Sequence, residues 1–305
     1  MNKSLSRSEM LISLGFLFML ICAVGAFFFG VEVGKNRTTT QLEASKESTD
    51  KKTVSGTLQQ QDLVSYYHTV FMPFREFQNE WINVVENANT KQTTDLPTEL
   101  KRLASMSQKT FNQISAVSMP ISTPLEQSQQ QLLKSIASFQ TVSKRLSTSK
   151  DAQSVAQVLT AMHKDADYKA AVAKSLQGQQ SYYSAMVQWA RTINPDIPQA
   201  KGLPDTMNVS YWNSLPLIVK NKLSADLIAA SGSVVNYYPQ DLTSRIDEFI
   251  SSGQAKKLKY DLVGPITELL IDTRAVRSGD FKSSMVSQYS KQLLPQLPFF
   301  LTDEA

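Results

Sequence analysis

His68 and His163 are the only imidazoles in this chain of 305 residues, and Cys22 is its only thiol. Hydrolytic, redox and metal chemistry draw on such groups first, so the inventory for catalysis is thin. No H-E-x-x-H pair is present to hold a zinc ion, and no G-x-S-x-G turn to present a serine nucleophile. A P-loop and a Gly-rich dinucleotide fingerprint are likewise absent. Ser147-Thr148-Ser149-Lys150 has the S-x-x-K spacing of penicillin-binding enzymes. Its K-T-G and S-x-N companions are missing, and it falls at an expected helix end.

Two acidic groupings invite a closer look. His163, Asp165 and Asp167 sit at alternate positions in MHKDADYK, where a loop can gather an imidazole and two carboxylates around a metal. The ligands needed to complete such a shell are not evident, so the expected role is a polar helix break. Glu268 and Asp272 lie one helical turn apart in PITELLIDTR, opposite Leu262, Ile266, Leu269 and Val276, which marks a solvated face. The sequence therefore predicts no catalytic residues, no metal and no cofactor.

Aromatic residues carry more promise. Tyr66, Tyr67, Phe71, Phe74, Phe77 and Trp81 crowd one segment, and Tyr168, Tyr182, Tyr183 and Trp189 another. Phenols and indoles join apolar area to a hydrogen-bonding edge, which suits a ligand pocket or a partner surface. The expected ligand- or partner-binding set is Tyr66, Tyr67, Phe74, Trp81, Tyr182, Tyr183 and Trp189, with a bundle core as the competing role. Tyr211-Trp212 offers the same chemistry as a seal between two helical parts.

The elements that must carry these groups read as all-α. From Leu58 onward apolar residues recur at helical spacing, and glycine is confined to positions 178, 202, 232, 253, 264 and 279. A first helix, about 58–88, is bent or split by Pro73. A second runs from Pro97 towards Met119-Pro120. A third opens on a T-x-x-E capping box, Thr123 to Glu126, with Pro124 at the first helical position. A fourth, about 151–193, breaks near Asp165 to Asp167 and stops at Asn194-Pro195. These predict an antiparallel bundle over 58–196. Beyond a Pro- and Gly-bearing linker at 197–205, a second helical subdomain is expected over 197–305. It comprises a buried stretch from Leu215 to Tyr238 ended by Pro239, a helix at 241–252, another at 260–277, and a last one capped by Asp280 and ended by Pro295.

One segment differs from all the rest. From Met10 to Val31 no charged residue occurs, with Glu9 and Glu32 at the edges. About 20 apolar residues span a bilayer as a helix, so residues 10–33 are expected to be an uncleaved signal-anchor following a short tail at 1–9. Lipid attachment at Cys22 is not expected, because Ile21 precedes it. Residues 34–57 are rich in Ser, Thr, Lys and Glu and read as a flexible stalk. Basic residues lie on both sides of the anchor, but a long following domain translocates largely regardless of charge. The domain is thus expected outside the cell membrane. A soluble part without cysteine suits a bacterial envelope. Gly30 and Gly34 form a G-x-x-x-G spacing through which a homodimer can form.

Net charge is +4, and the densest basic patch is Lys256, Lys257 and Lys259. That patch can touch anionic wall polymers or lipid head groups. No basic stripe interleaves with aromatics, so nucleic acid is not an expected partner. The topology resembles the helical sensory modules of bacterial membrane receptors only loosely. Those modules return through the bilayer, and a second apolar run is missing here, so two-pass signalling is not expected. The leading expectation is a single-pass, extracytoplasmic, non-enzymatic binding module whose partner is an envelope protein, a wall polymer or a small apolar ligand. The alternatives are an envelope enzyme with a dispersed active site and a cytoplasmic-facing membrane assembly factor.

Overall fold

The computed structural model describes residues 57–90, 95–118, 123–148, 154–199, 202–204 and 206–301. The expected tail, anchor and stalk, with Cys22 and the Gly30–Gly34 pair, lie outside them. Among the described residues no helix is long and apolar enough to cross a membrane. The architecture is all-helical: the described residues contain no strand, only a single antiparallel bridge between Asn208 and Leu262. From Thr57 on, the chain forms one compact unit.

The first helix is one rod with an irregular turn. Helix α1 (Gln60–Tyr66) runs through a π-helical turn (Tyr67–Phe71) into α2 (Met72–Asn89). Pro73 cannot donate a backbone hydrogen bond, and the wider turn just before it accommodates the ring without breaking the rod. Next come α3 (Leu96–Ser115), α4 (Thr123–Ser147), α5 (Val155–Lys164) and α6 (Ala166–Ile193). Asp95 starts α3 by accepting from the Thr98 amide at 3.1 Å. Asp165 makes the expected break, ending α5 and capping α6 through the amides of Asp167 (2.8 Å) and Tyr168 (3.1 Å).

Side-chain bonds fix the helix directions. Ser128 Oγ donates to the Gly178 carbonyl at 2.7 Å and Ser135 Oγ to the Ala171 carbonyl at 2.8 Å. Forward along α4 is therefore backward along α6. Gln129 reaches the carbonyl of Ile114 and Gln140 that of Ala104, which sets α3 antiparallel to α4 in the same way. Trp81 and Phe139 meet at 4.5 Å, and Tyr182 Oη donates to the Leu63 carbonyl at 3.0 Å, closing the first rod onto both α4 and α6. The result is an antiparallel bundle whose α4–α6 contact is unusually close. A Cβ on Gly178 would stand 2.4 Å from Leu132 Cδ2.

The C-terminal helices are α7 (Val209–Ser214), α8 (Leu217–Ser231), α9 (Pro239–Ser251), α10 (Gln254–Lys257), α11 (Val263–Asp272) and α12 (Asp280–Ser284), then a π-helical turn (Met285–Tyr289). Helix α8 is buried on nearly every side, because α6, α9 and α11 all pack against it. Several boundaries differ from expectation: the helix expected over 260–277 spans only Val263–Asp272, and the last helical turn ends at Tyr289, short of Pro295. Gly232, in the left-handed region at φ 67°, ends α8 well before Pro239, and Pro239 instead opens α9, where its missing N–H costs nothing. Asp280 does not cap α12; its carboxylate accepts from the Arg277 amide one turn earlier, and Gly279 at φ 93° makes the entry.

Bundle and C-terminal helices are joined by polar and aromatic contacts. Arg75, 3 % exposed, donates to the carbonyls of Val235 and Tyr237 and to Gln78, with its guanidinium 4.8 Å over the Tyr238 ring. Tyr183 Oη donates to Gln240 Oε1 at 2.6 Å, and Phe299 stacks between Tyr183 and Tyr238. Trp212 is fully buried, yet it works within the C-terminal part. Its indole N–H and Lys220 Nζ both donate to Asp247 Oδ1, while Tyr289 donates to Oδ2.

Candidate functional site

A cavity of about 910 Å³ opens between α2, α6 and the C-terminal end of α8. Trp81 on α2 and Tyr168, Val172 and Leu176 on α6 form one wall; Ala229 and Val234 face them from α8 and the loop after it. Helical geometry explains the grouping, since 168, 172 and 176 are successive turns on one face of α6. Gly232 then turns the chain at the end of α8, bringing Val234 to the rim. Trp81 is 1 % exposed, and its indole N–H is buried with no hydrogen-bond partner. A buried donor of this kind costs about 1–3 kcal/mol unless something accepts from it.

The cavity adjoins a second, polar compartment of about 570 Å³ that lies open to solvent. Gln127 and Gln131 from α4, Gln177 and Ser181 from α6, and Lys222 from α8 line it. Gln177, Gln180, Gly202 and Asp226 border both compartments. At their junction Lys222 and Asp226 form a buried ion pair one helical turn apart, and Gln180 Nε2 donates to Asp226 Oδ1 at 2.9 Å. Gln131 Oε1 is buried without a partner.

The residues singled out from sequence fall mostly inside the fold. Tyr66, Tyr67, Phe74, Tyr182, Tyr183 and Trp189 are buried in the core and line neither compartment. Tyr66 Oη donates to Ser128 Oγ at 2.6 Å, which continues to Gly178, so its hydrogen-bonding edge is already used. Burial pushes the phenols of Tyr66, Tyr182 and Tyr183 well above their ordinary range, and that of Tyr67 up to about 12, which keeps all four neutral donors. Trp81 alone of the set borders the cavity. Tyr168, which belonged to the same aromatic group, borders it too.

The other groupings resolve into structure. His163 stands at the cavity rim, where Nδ1 lies 2.7 Å from the Leu159 carbonyl. Asp165 and Asp167 are bridged by Arg145. Among the described residues no three His, Cys, Asp or Glu side chains converge to hold a metal. Glu268 and Asp272 are exposed on α11. Ser147 Oγ donates to the Lys144 carbonyl at the end of α4, and Lys150 lies outside the described residues.

Sequence reasoning missed the cavity's amide residues. The signal was present as two Gln-rich stretches, 127–131 on α4 and 177–180 on α6, which the α4–α6 contact at Gly178 brings side by side. Asp226 and Lys222 were hidden within an apolar run. No protein-family model, no curated protein and no solved structure matches the chain.

Proposed function

We propose that this chain is a single-pass membrane protein of a bacterial envelope. Residues 10–33 are its signal-anchor and 34–57 its stalk, and they hold a non-enzymatic helical binding module on the extracytoplasmic side. Support for the anchor is the charge-free run from Met10 to Val31. The helices after residue 197 act as a second helical subdomain packed on the bundle, and Gly30 with Gly34 offers a route to a homodimer.

The observation that carries the binding role is the cavity beside Trp81. Its volume of about 910 Å³ falls within the range of about 300–1,000 Å³ in which small-molecule sites cluster. Mostly apolar walls with a few placed polar groups are the usual make-up of such sites. Its buried carboxylate, Asp226, is held by Lys222 and Gln180, while Glu86, His163 and Lys169 are exposed, which favours binding over catalysis.

Two measurements test this reading. Protease added to intact cells should digest the domain; full protection would place it on the other side of the membrane. Wild-type protein purified from its own membranes should release a small molecule on solvent extraction, and Ala173→Trp should not. Ala173 is exposed at the cavity wall, so an indole there blocks the cavity without entering the core. Identical extracts from both proteins would overturn the binding role.

A further inference from the structure

We infer that the occupant of this site is an amphiphile with one apolar chain and an uncharged, polyhydroxylated head group, a glycolipid-like molecule. The inference rests on the binding role proposed above and adds the chemical class of ligand.

The two compartments differ in chemistry and share a border. One is walled mainly by Trp81, Tyr168, Val172, Leu176, Ala229 and Val234, which offer an alkyl chain dispersion contacts, with the Trp81 indole N–H an unpaired donor in that wall. The other is lined by primary amides and hydroxyls: Gln127, Gln131, Gln177, Gln180, Ser181 and Ser184. Amides and hydroxyls both donate and accept, as sugar hydroxyls do, so a polyol can satisfy several at once. A ligand that fills both compartments must therefore change from apolar to hydrogen-bonding along its length.

Charge decides the head group. Among the described residues that line the polar compartment, the ionisable side chains are Lys222 and Asp226, which are paired with each other and are 5 % and 4 % exposed. Gln180 takes a further lone pair of Asp226. An ionic head meets no unpaired counter-charge there, and pulling either partner towards it would leave the other buried and unmatched. At the outer rim of the apolar compartment Glu86 and Lys169 are exposed and of opposite sign, so no net field favours an ion there either. Two buried groups still lack partners: the Trp81 indole N–H and Gln131 Oε1, a donor and an acceptor.

The test titrates the full-length chain in neutral lipid nanodiscs, with empty discs as the blank, against five probes: octyl β-glucoside, octanol, octanoate, octyltrimethylammonium and glucose. The glucoside should bind saturably and at least tenfold more tightly than any other probe. Ala173→Trp should abolish this binding. Joint replacement Gln127→Ala and Ser181→Ala, which line the polar compartment alone, should weaken the glucoside at least tenfold and leave octanol unchanged. If octanol or an ionic probe binds as well as the glucoside and Ala173→Trp blocks it, the head-group assignment falls while the cavity's binding role stands. Glucose binding as tightly as the glucoside would remove the apolar chain from the account. If Ala173→Trp leaves every probe's binding unchanged, or none binds, both the assignment and the cavity role fall.

Discussion

Replacing Gly178 with alanine should destabilise the protein, against the usual effect of that change. In an exposed helix interior, glycine to alanine gains about 1 kcal/mol. Here the new Cβ would lie 2.4 Å from Leu132 Cδ2, 2.7 Å from Leu132 Cγ and 3.3 Å from the Ser128 carbonyl oxygen. Carbon atoms rest about 3.5–4.0 Å apart, so something must yield by about 1 Å. Leu132 is fully buried, and the helices cannot part without stretching the Ser128–Gly178 and Ser135–Ala171 bonds. Overpacking of this kind costs about 1–3 kcal/mol, and losing one buried hydrogen bond adds about 1 kcal/mol. The net expectation is a loss of about 1–3 kcal/mol. Urea unfolding of the full-length chain in nanodiscs, followed by helical circular dichroism, measures it. A double-mutant cycle isolates the clash. Leu132→Ala alone should cost about 2–5 kcal/mol, and in that background Gly178→Ala should become stabilising, because its methyl enters the vacated space. If Gly178→Ala stabilises the wild type, or the two changes simply add, the close α4–α6 approach is refuted.

Three further outcomes follow from buried polar groups. Asp241 is 2 % exposed, and burial raises its carboxyl to about 6 despite the amides of Phe281 and Tyr238 that donate to it. A group that holds its proton more tightly when folded stabilises fully below about pH 4 and loses that stability as pH rises through about 6. The span from the ordinary 3.8 corresponds to about 3 kcal/mol, so Asp241→Asn should flatten the stability profile between about pH 4 and 6; an unchanged profile contradicts this. Asn221 is fully buried with neither Nδ2 nor Oδ1 paired, so Asn221→Leu should stabilise by about 1–3 kcal/mol in the same urea assay, and a loss would mean the amide is satisfied in solution. Arg75→Leu should cost about 2–4 kcal/mol, because it leaves the carbonyls of Val235 and Tyr237 without donors and unties α2 from the loop before α9; a neutral result would refute that tie.

What the sequence revealed and what it hid have separate physical causes. Local chemistry was readable. Leu125, Leu132, Ile136, Phe139 and Leu146 recur at helical spacing and all lie in the core. Asp165 announced its break because a carboxylate there can serve two orphan amides at once. Where two local signals competed, the nearer one governed: Gly232 stopped α8 before Pro239 could, and Pro239 was free to begin the next helix. The aromatic cluster was visible as a set, but whether a tyrosine lines a cavity or fills a core depends on partners distant in sequence. Tyr182 meets Leu63, and Tyr183 meets Gln240, from separate helices. The cavity is a gap between α2, α6 and α8, and no single segment carries a gap in its pattern.

The most direct test of the binding role is the indole N–H resonance of Trp81 in the labelled full-length chain, assigned through Trp81→Phe. Titration with apolar and amphiphilic compounds should move this resonance saturably while those of Trp189 and Trp212, which border no cavity compartment, stay in place. Ala173→Trp should suppress the shift. If no compound moves the Trp81 signal, or if all three indoles move together, the cavity beside Trp81 is not a ligand site.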